Sequence, residues 1–247
     1  MLKLGGETLL IDAGLSLKKI ELRLCEKNIA PEQISRILIT HAHGDHIKGA
    51  GKFARKHGTP IWLTRVAYAQ WQKLGGDSAD CRINFLKEKE NFSGVKLKTF
   101  QLPHDEAGNT GFLFEHGNFR MAYFTDLGEM PERVFRDIHD CDFLFLESNH
   151  DVEREKVSRR PAHIIERNLS SKGHLSNEQA AHIVERVVAQ TPRRRTRAVM
   201  LAHISKECNH HVFVEKTIRG SLRKKSAENV QVLLAPEGRC SEVVRYA

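Results

Sequence analysis

The segment HAHGDH, residues 41–46, places three histidines and one aspartate within six positions, directly after a short apolar run. His41 and His43 are two residues apart, and side chains on an extended segment repeat every two residues, so their imidazoles are expected on the same side. Asp45 and His46 follow in the turn, where the backbone has reversed, and they are expected to face a second point nearby. The hexapeptide therefore predicts half of each of two metal sites.

Two metal sites need further ligands, and three other candidates also follow apolar runs: His104, Asp126 and His203. Each lies where a predicted strand enters a loop, so the sheet would hold the side chain while leaving it open to substrate. Imidazole nitrogens combined with carboxylate oxygens suit zinc, and also manganese or iron. A histidine-rich surface loop is the structural alternative, but four ligand-type residues in six positions at the end of a strand favour metal binding.

The elements that would position these residues alternate along the first third of the chain. Continuous apolar runs predict strands at residues 8–14, 36–41 and 59–63, with helices between them after a Ser16 cap and around residues 47–58. Between about residues 82 and 125, short β-rich runs separated by Gly, Asn and His predict an antiparallel meander that begins with RINFL.

Helix and strand alternate again in the second half. The run FLFLES predicts a buried strand, RAVMLAH and VQVLLA predict late strands, and a helix begins at the capping sequence SNEQ. That helix has one apolar face, formed by Ala180, Ala181, Val184, Val187 and Val188. The chain shows no repeat or linker, so we expect one α/β domain over residues 1–247, with two mixed β-sheets and helices on the outside.

The net charge of +8 is unevenly distributed. Residues 1–150 carry 20 basic and 20 acidic side chains, whereas residues 151–247 carry 19 and 11. A basic region of this kind favours a polyanionic partner such as nucleic acid, because its cations neutralise phosphates and release counterions.

The five cysteines are odd in number and contain no CxxC pair, which predicts reduced thiols in a cytoplasmic protein. No apolar run reaches the roughly 20 residues that span a bilayer, and the N-terminus lacks the pattern of a signal peptide. We therefore expect no membrane partner.

The order of the motifs LLIDAG, THAHGDH, LPHD, YFTDLG and LAHIS resembles the five-motif series of the metallo-β-lactamase superfamily, over nearly the whole chain. Within that superfamily, LESNHD, GHLSNEQAA and LAHISKECN are similar to the YycJ/WalJ-type hydrolases, which are related to the tRNA-processing enzymes called RNase Z. The resemblance implies an αββα sandwich and two divalent metal ions per chain, with zinc expected first.

The resemblance also implies a ligand set. His41, His43 and His104 would hold one ion, while Asp45, His46 and His203 would hold the other and Asp126 would bridge them. Asp12, in the first motif, would support the site by hydrogen bonds, and its alternative is a simple turn-forming aspartate.

The implied reaction is phosphodiester hydrolysis, in which a metal-bridging hydroxide attacks phosphorus in line. Asp45 would orient or deprotonate that water. His174 in GHLSN is similar to the histidine that RNase Z uses near its scissile phosphate, so it is the candidate acid for the departing alkoxide. Its alternative is a residue that simply precedes a helix cap.

Residues Glu147, Asn149 and His150 close the strand sequence FLFLESNHD. They would either line the active site, with Glu147 steering His174, or only cap a turn. Two basic clusters have two interpretations: they are either solvated surface residues or residues that bind a nucleic-acid backbone without reading its sequence. The clusters are Arg193, Arg194, Arg195 and Arg197, and Arg223, Lys224 and Lys225.

The leading hypothesis is a dinuclear metal-dependent nuclease, a DNA exonuclease as the resemblance implies. Three alternatives stay open: a small-molecule or cyclic phosphodiesterase, a thioester hydrolase of the same fold, and an inactive metal-bound module that binds nucleic acid for regulation. The ESNHD and GHLSN motifs and the basic C-terminal third favour a polyanionic substrate over a thioester.

Two departures from the family pattern affect these expectations. Relatives usually begin with an extra strand and a Gly/Ser-rich loop, whereas this chain starts at MLKLGGETLLIDAG, so that segment is expected to be truncated or absent. The sequence NTGF, residues 109–112, also stands where relatives tend to carry a proline.

Overall fold

The computed structural model describes residues 1–105, 108–139, 141–189, 196–236 and 238–246. The chain divides into two compact units. The first comprises Met1–Thr99 and Pro236–Ala247, and the second comprises Phe100–Ala235. This division concerns compactness alone, so the single domain predicted over residues 1–247 stays a prediction.

The first unit contains a five-stranded mixed sheet. Its strands are β1 (Leu2–Leu4), β2 (Glu7–Ile11), β3 (Arg36–Leu38), β4 (Ile61–Leu63) and β5 (Ile83–Phe85). They lie in the order β1-β2-β3-β4-β5, with β1 antiparallel to β2 and the other pairs parallel. Gly5 and Gly6 join β1 to β2 with φ values of 54° and 83°, which a tight hairpin turn requires and glycine adopts without strain.

Four helices connect these strands: α1 (Leu17–Cys25), α2 (Gly44–Ile47), α3 (Ala50–His57) and α4 (Arg65–Lys73). Ser16 is the N-cap of α1, as predicted, although its side chain makes no capping hydrogen bond. The core of the unit is formed by apolar side chains of the strands and of α1, α3 and α4, with Ile37, Phe53 and Ile61 fully buried. Burial of these side chains stabilises the strand ends from which the HAHGDH segment departs.

The second sheet is also mixed and has seven strands. They are β6 (Lys89–Phe92), β7 (Val95–Leu102), β8 (Asn109–His116), β9 (Phe119–Phe124), β10 (Phe143–Glu147), β11 (Ala198–Ala202) and β12 (Gln231–Leu234). Their order is β12-β11-β10-β9-β8-β7-β6, and the boundary between the two units falls within β7. β8 and β9 form an antiparallel pair, whereas β9, β10, β11 and β12 run parallel.

Among its described residues, the second unit has five helices: α5 (Glu132–Ile138), α6 (Val152–Lys156), α7 (Ala162–Leu169), α8 (Asn177–Ala189) and α9 (His211–Lys224). The predicted capping sequence of α8 is confirmed, because Ser176 Oγ accepts from Gln179 N and Gln179 Oε1 accepts from Ser176 N. The predicted apolar face of α8 is buried in a core that also contains Leu144, Leu201 and Ile218.

The predicted α/β class with two mixed sheets is confirmed, and one strand prediction is wrong in its pairing. RINFL was expected to open the antiparallel meander, but β5 pairs in parallel with β4 in the first sheet. A three-residue strand carries too little alternation to reveal its partner, so tertiary contacts decide the pairing. Helices α2, α4, α6 and α7 were not predicted.

Within the residues that the structure describes, no helix combines the length and the apolar character needed to cross a membrane.

Candidate metal centre

The HAHGDH segment brings its three imidazoles together in the first unit. The chain stays extended through His43, which is the N-cap of the short helix α2. The ring centroids of His41 and His43 lie 4.5 Å apart, and those of His41 and His46 lie 4.2 Å apart. Asp45 Oδ2 lies 3.5 Å from His46 Nε2, and the Asp45 side chain is 68% exposed. The segment therefore presents clustered nitrogen donors beside an accessible carboxylate.

Asp12 holds this segment from the end of β2. Its carboxylate accepts hydrogen bonds from Thr40 N at 2.8 Å and from Thr40 Oγ1, and it pairs with His46 Nδ1 at 2.8 Å. Gly14 follows in a place where an added Cβ would lie 1.5 Å from Asp45 O, so only glycine fits there. These contacts tie Asp12 to the HAHGDH segment, and its supporting role in a metal site stays a prediction.

In the second unit, the parallel register places candidate residues at the carboxyl ends of three neighbouring strands. Leu146 pairs with Phe124, and Glu147 pairs with Ala202. Asp126 and His203 follow β9 and β11, the two strands that pair with β10, and they have left-handed φ values of 56° and 53°. Non-glycine residues adopt this conformation at a cost, and such strain is concentrated at functional sites.

Glu147 is a fully buried carboxylate to which four donors converge. Its Oε1 accepts from His174 Nδ1 at 2.8 Å and from His203 Nδ1 at 2.6 Å. Its Oε2 accepts from the backbone N–H groups of Leu127 and Leu175, both at 3.1 Å. Because both oxygens are engaged, Glu147 is better suited to orient the two histidines than to bind a metal itself.

The same contacts set the protonation of this cluster. Burial alone would raise the pKa of Glu147, but the charges and hydrogen bonds of His174 and His203 hold it well below its ordinary value. Burial alone would lower the pKa of His174, but the charge and hydrogen bond of Glu147 raise it above its ordinary value. Glu147 therefore stabilises the protonated form of His174, whose Nδ1 is directed at the carboxylate.

His104 completes the candidates of the second unit. Its Nδ1 lies 3.0 Å from Gly173 O, and its ring centroid lies 5.1 Å from that of His174. Burial lowers the pKa of His104, which favours the neutral imidazole that a metal binds. Gly173 is required at this contact, since an added Cβ would meet Arg167 O at 2.1 Å.

The donor set fits divalent metal ions. His46, His104 and His203 each direct Nδ1 to a carboxylate or a carbonyl oxygen, groups that only accept hydrogen bonds. Nδ1 must then carry the proton, and Nε2 carries the lone pair that a metal ligand needs. In the second unit, the candidate ligands Asp126 and His203 each have a donor atom within 4.8 Å of the other.

Other predicted site residues have structural contacts. Asn149 Nδ2 donates to His203 O at 2.9 Å, and Asn149 N donates to Leu175 O at 2.9 Å, so Asn149 joins the segments that carry His203 and His174. His150 is buried and forms an isolated parallel β-bridge with Ser176 through the backbone. Among the basic candidates, Arg197, Arg223, Lys224 and Lys225 are exposed, and Arg193, Arg194 and Arg195 lie outside the described residues.

Sequence reasoning missed two supports of the site. Asn109 Nδ2 donates to Asp126 O at 2.8 Å and to Thr125 O, holding the strand end that carries Asp126. Arg167 makes a two-pronged contact with Asp105, with Nε–Oδ1 and Nη2–Oδ2 distances of 2.6 Å. The adjacency of Asp105 to His104 was one available signal. Asn109, the first residue of β8, was noted only as part of NTGF, where relatives tend to carry a proline.

Comparisons with known proteins identify the family. Residues 7–204 match the family model described as the beta-lactamase superfamily domain. Exodeoxyribonuclease WalJ of Streptococcus pneumoniae is 34% identical over 225 residues, which cover 90% of this chain and 82% of that protein. Exodeoxyribonuclease YycJ of Bacillus anthracis is 32% identical over 219 residues, covering 88% of this chain and 81% of that protein.

A likeness among solved structures agrees with this match. The metallo-β-lactamase-fold protein YhfI of Bacillus subtilis superposes with a TM-score of 0.68 at 17% identity, covering 96% of this chain and 87% of that one. That likeness supports the fold, and the fold implies divalent metal ions, for which the histidine and aspartate groups above are candidate ligands. The chain therefore belongs to the metallo-β-lactamase superfamily, and within it to the family of WalJ and YycJ.

Proposed function

We propose that this protein is a metal-dependent hydrolase of phosphodiester bonds that acts as a DNA exonuclease. The names of the relatives WalJ and YycJ, with which it shares about a third of its residues, support this substrate. The family model spans parts of both compact units, which supports treating residues 1–247 as one hydrolase domain. The five cysteines, none in a disulfide, support a cytoplasmic location.

The proposed cofactor is a pair of divalent ions, zinc first, with manganese or iron as alternatives. As the family resemblance implies, His41, His43 and His104 would bind one ion, while Asp45, His46 and His203 would bind the other and Asp126 would bridge them. Bound ions supply a nucleophile at neutral pH and stabilise the oxygens of an in-line displacement at phosphorus.

The observation that carries the proposal is that His174 and His203 share Glu147 Oε1. This arrangement supplies an oriented histidine, whose protonated form the Glu147 carboxylate stabilises, beside a candidate metal ligand. Departure of a nucleotide alkoxide requires a proton, whereas departure of a thiolate does not, because a thiol is far more acidic than an alcohol. The pair therefore favours a phosphodiester over the thioester alternative.

In the reaction, the chain's own residues position the substrate and move protons. The exposed carboxylate of Asp45 would orient the attacking water and accept its proton. His174 would donate from Nε2 to the leaving oxygen, because Nδ1 is engaged with Glu147, and the carboxylate would stabilise the imidazolium until the proton leaves.

A single panel of substrates tests the function. Purified protein with zinc or manganese is incubated with 5′- and 3′-labelled single-stranded and duplex DNA, with RNA, with bis-p-nitrophenyl phosphate and with a thioester. Stepwise shortening of DNA is the expected result. Thioester cleavage without phosphodiester cleavage would overturn the proposal, and cleavage of RNA alone would overturn the choice of DNA.

Metal content tests the ligand set. About two ions per chain are expected, and Asp126→Ala should reduce this number sharply because it removes the proposed bridge. Asp80→Ala is the matched control, since Asp80 is an exposed aspartate that also has a left-handed φ, 56°. Wild-type protein that remains without metal after incubation with zinc would contradict the ligand set.

A further inference from the structure

Glu155 on α6 is a second fully buried carboxylate, and nothing in the proposed chemistry uses it. Both of its oxygens accept from Arg160 Nη1, at 3.1 and 3.0 Å, and Oε1 also accepts from Asn168 Nδ2 at 2.7 Å. The Glu155 side chain is 0% exposed, while that of Arg160 is 23% exposed. A buried ion pair adds little net stability compared with apolar packing of the same volume, whereas its directional contacts fix the positions of the segments that it joins.

One arm of this network leads to His174. Asn168 contacts Glu155 through its side chain, and its backbone carbonyl accepts a hydrogen bond from His174 N at 3.1 Å. The same turn is closed at Gly173, where an added Cβ would meet Asn168 O at 2.3 Å. The backbone position of His174 thus depends on Asn168, which Glu155 holds.

The other arm leads to His203. Arg160 Nη2 donates to Ser205 Oγ at 3.1 Å, and Nε donates to Glu207 Oε2 at 3.1 Å. Ser205 N donates to Asn149 O at 2.8 Å, and Asn149 in turn donates to His203 O. Arg160 therefore holds the loop that follows His203.

We propose that the Glu155–Arg160 pair is a positioning device that sets His174 and His203 at the spacing at which both reach Glu147. Glu155 and Arg160 act through Asn168 and Ser205 and touch no reacting atom. Its catalytic consequence rests on the proposed function, while its structural part, the orientation of His174, does not.

Glu155→Gln and Arg160→Lys test the proposal in the full chain with saturating zinc. Glu155→Gln removes the charge that Arg160 Nη1 contacts. Arg160→Lys replaces the separate donors Nη1, Nη2 and Nε, which contact Glu155, Ser205 and Glu207, with a single ammonium group. The kcat on DNA should fall about 10- to 100-fold, as a misplacement near 1 Å produces, with KM changed less than about 3-fold. On bis-p-nitrophenyl phosphate, whose leaving group needs no proton, kcat should fall less than about 3-fold.

Arg186→Lys is the matched control, because Arg186 makes a two-pronged contact with Glu132 on the surface of the same unit. It should leave both kcat values unchanged. An equal fall on the two substrates in Glu155→Gln, or an unchanged kcat on DNA in both folded variants, would overturn the proposal.

Ring ¹⁵N–¹H spectra of the histidines give a readout that does not depend on activity. The His174 signal, assigned by its loss in His174→Ala, should shift or broaden in Glu155→Gln and Arg160→Lys and stay unchanged in Arg186→Lys. An unchanged His174 signal in the first two variants overturns the positioning role. If wild-type protein cleaves no phosphodiester, the proposed function fails, and the spectra still decide the positioning role.

Discussion

The two compact units hold their candidate ligands in different ways. In the first, His41, His43 and His46 come from one six-residue segment that the carboxylate of Asp12 holds through His46. In the second, His174, which precedes α8, and His203, which follows β11, meet at the buried Glu147. The first arrangement is local and the second is tertiary.

This difference predicts different consequences of damage. Asp12 contacts one histidine of its cluster, so its loss should weaken metal binding and little else. Glu147 contacts a candidate metal ligand and the candidate acid through one oxygen, so its loss should disturb binding and proton transfer together.

The largest effect is expected from Glu147→Gln. The amide removes the charge that both histidines face, and its NH₂ group opposes one of the donors now held by the carboxylate. We expect kcat on DNA to fall about 10³-fold and metal affinity to fall about 10- to 100-fold. Steady-state kinetics and zinc titration measure the two effects, and loss of only one of them would contradict the shared role.

Asp12→Asn should have a smaller effect than Glu147→Gln, because Asp12 contacts one histidine and Glu147 contacts two. Metal affinity is expected to fall about 10- to 100-fold, because Asn holds His46 Nδ1 less strongly. Excess zinc should recover turnover in this variant but not in Glu147→Gln. A competition titration with a zinc chelator measures the affinity, and equal recovery of both variants would erase the distinction between the units.

Glu155→Gln should lower stability in a pH-dependent manner. Burial alone would raise the pKa of Glu155, but hydrogen bonds from Cys208 and Asn168 and the charge of Arg160 lower it below the ordinary 4.5. A lowered folded-state pKa means that the carboxylate stabilises the fold above that ordinary value and loses this effect as pH falls through the folded-state value. We expect a loss of about 2 kcal/mol at pH 7 that shrinks below pH 4.5. Urea unfolding at pH 7 and at a pH below 4.5 measures the difference in unfolding free energy between the variant and the wild type. A difference that does not change with pH would contradict the ionic role.

The smallest effect concerns the basic end of α9. Replacing Arg223, Lys224 and Lys225 by Gln should reduce the slope of log affinity against log salt by about 1 to 2 for single-stranded DNA, since each lost phosphate contact contributes about 0.7. Filter binding over a salt series with a metal-free protein measures the slope. An unchanged slope would mean that these cations do not contact DNA phosphates and only stabilise the C-terminus of the helix through its dipole.

How far the sequence predicts the site follows the same division. The clustering of His41 and His43 was predictable because a two-residue spacing determines it locally. The contact between Glu147 and His174 was offered as one alternative, but the convergence of His203 on the same oxygen was not. That second contact spans 56 residues and depends on the parallel register of β10 and β11. The positions after apolar runs and the family resemblance supplied the candidates there, while only tertiary structure supplies this contact.

The fold shows the same limit. Long runs with clear periodicity, such as the apolar face of α8, were predicted together with their burial. The three-residue β5 was assigned to the wrong sheet, because so short a segment contains no information about its partner. The role of Asn109 was missed for a related reason, since its side chain donates to a carbonyl 17 residues away.

The left-handed backbone of Asp12, Asp126 and His203 has a practical consequence for engineering. The left-handed backbone at each of these residues costs about 1 kcal/mol or more of folding free energy. Glycine in the same conformation would not have this cost. Asp126→Gly should therefore remove a proposed ligand oxygen while relaxing the backbone, which makes it a better choice than Asp126→Ala for an inert protein that can be crystallised with an uncleaved strand. The proposed site positions are thus also positions where glycine would relieve backbone strain.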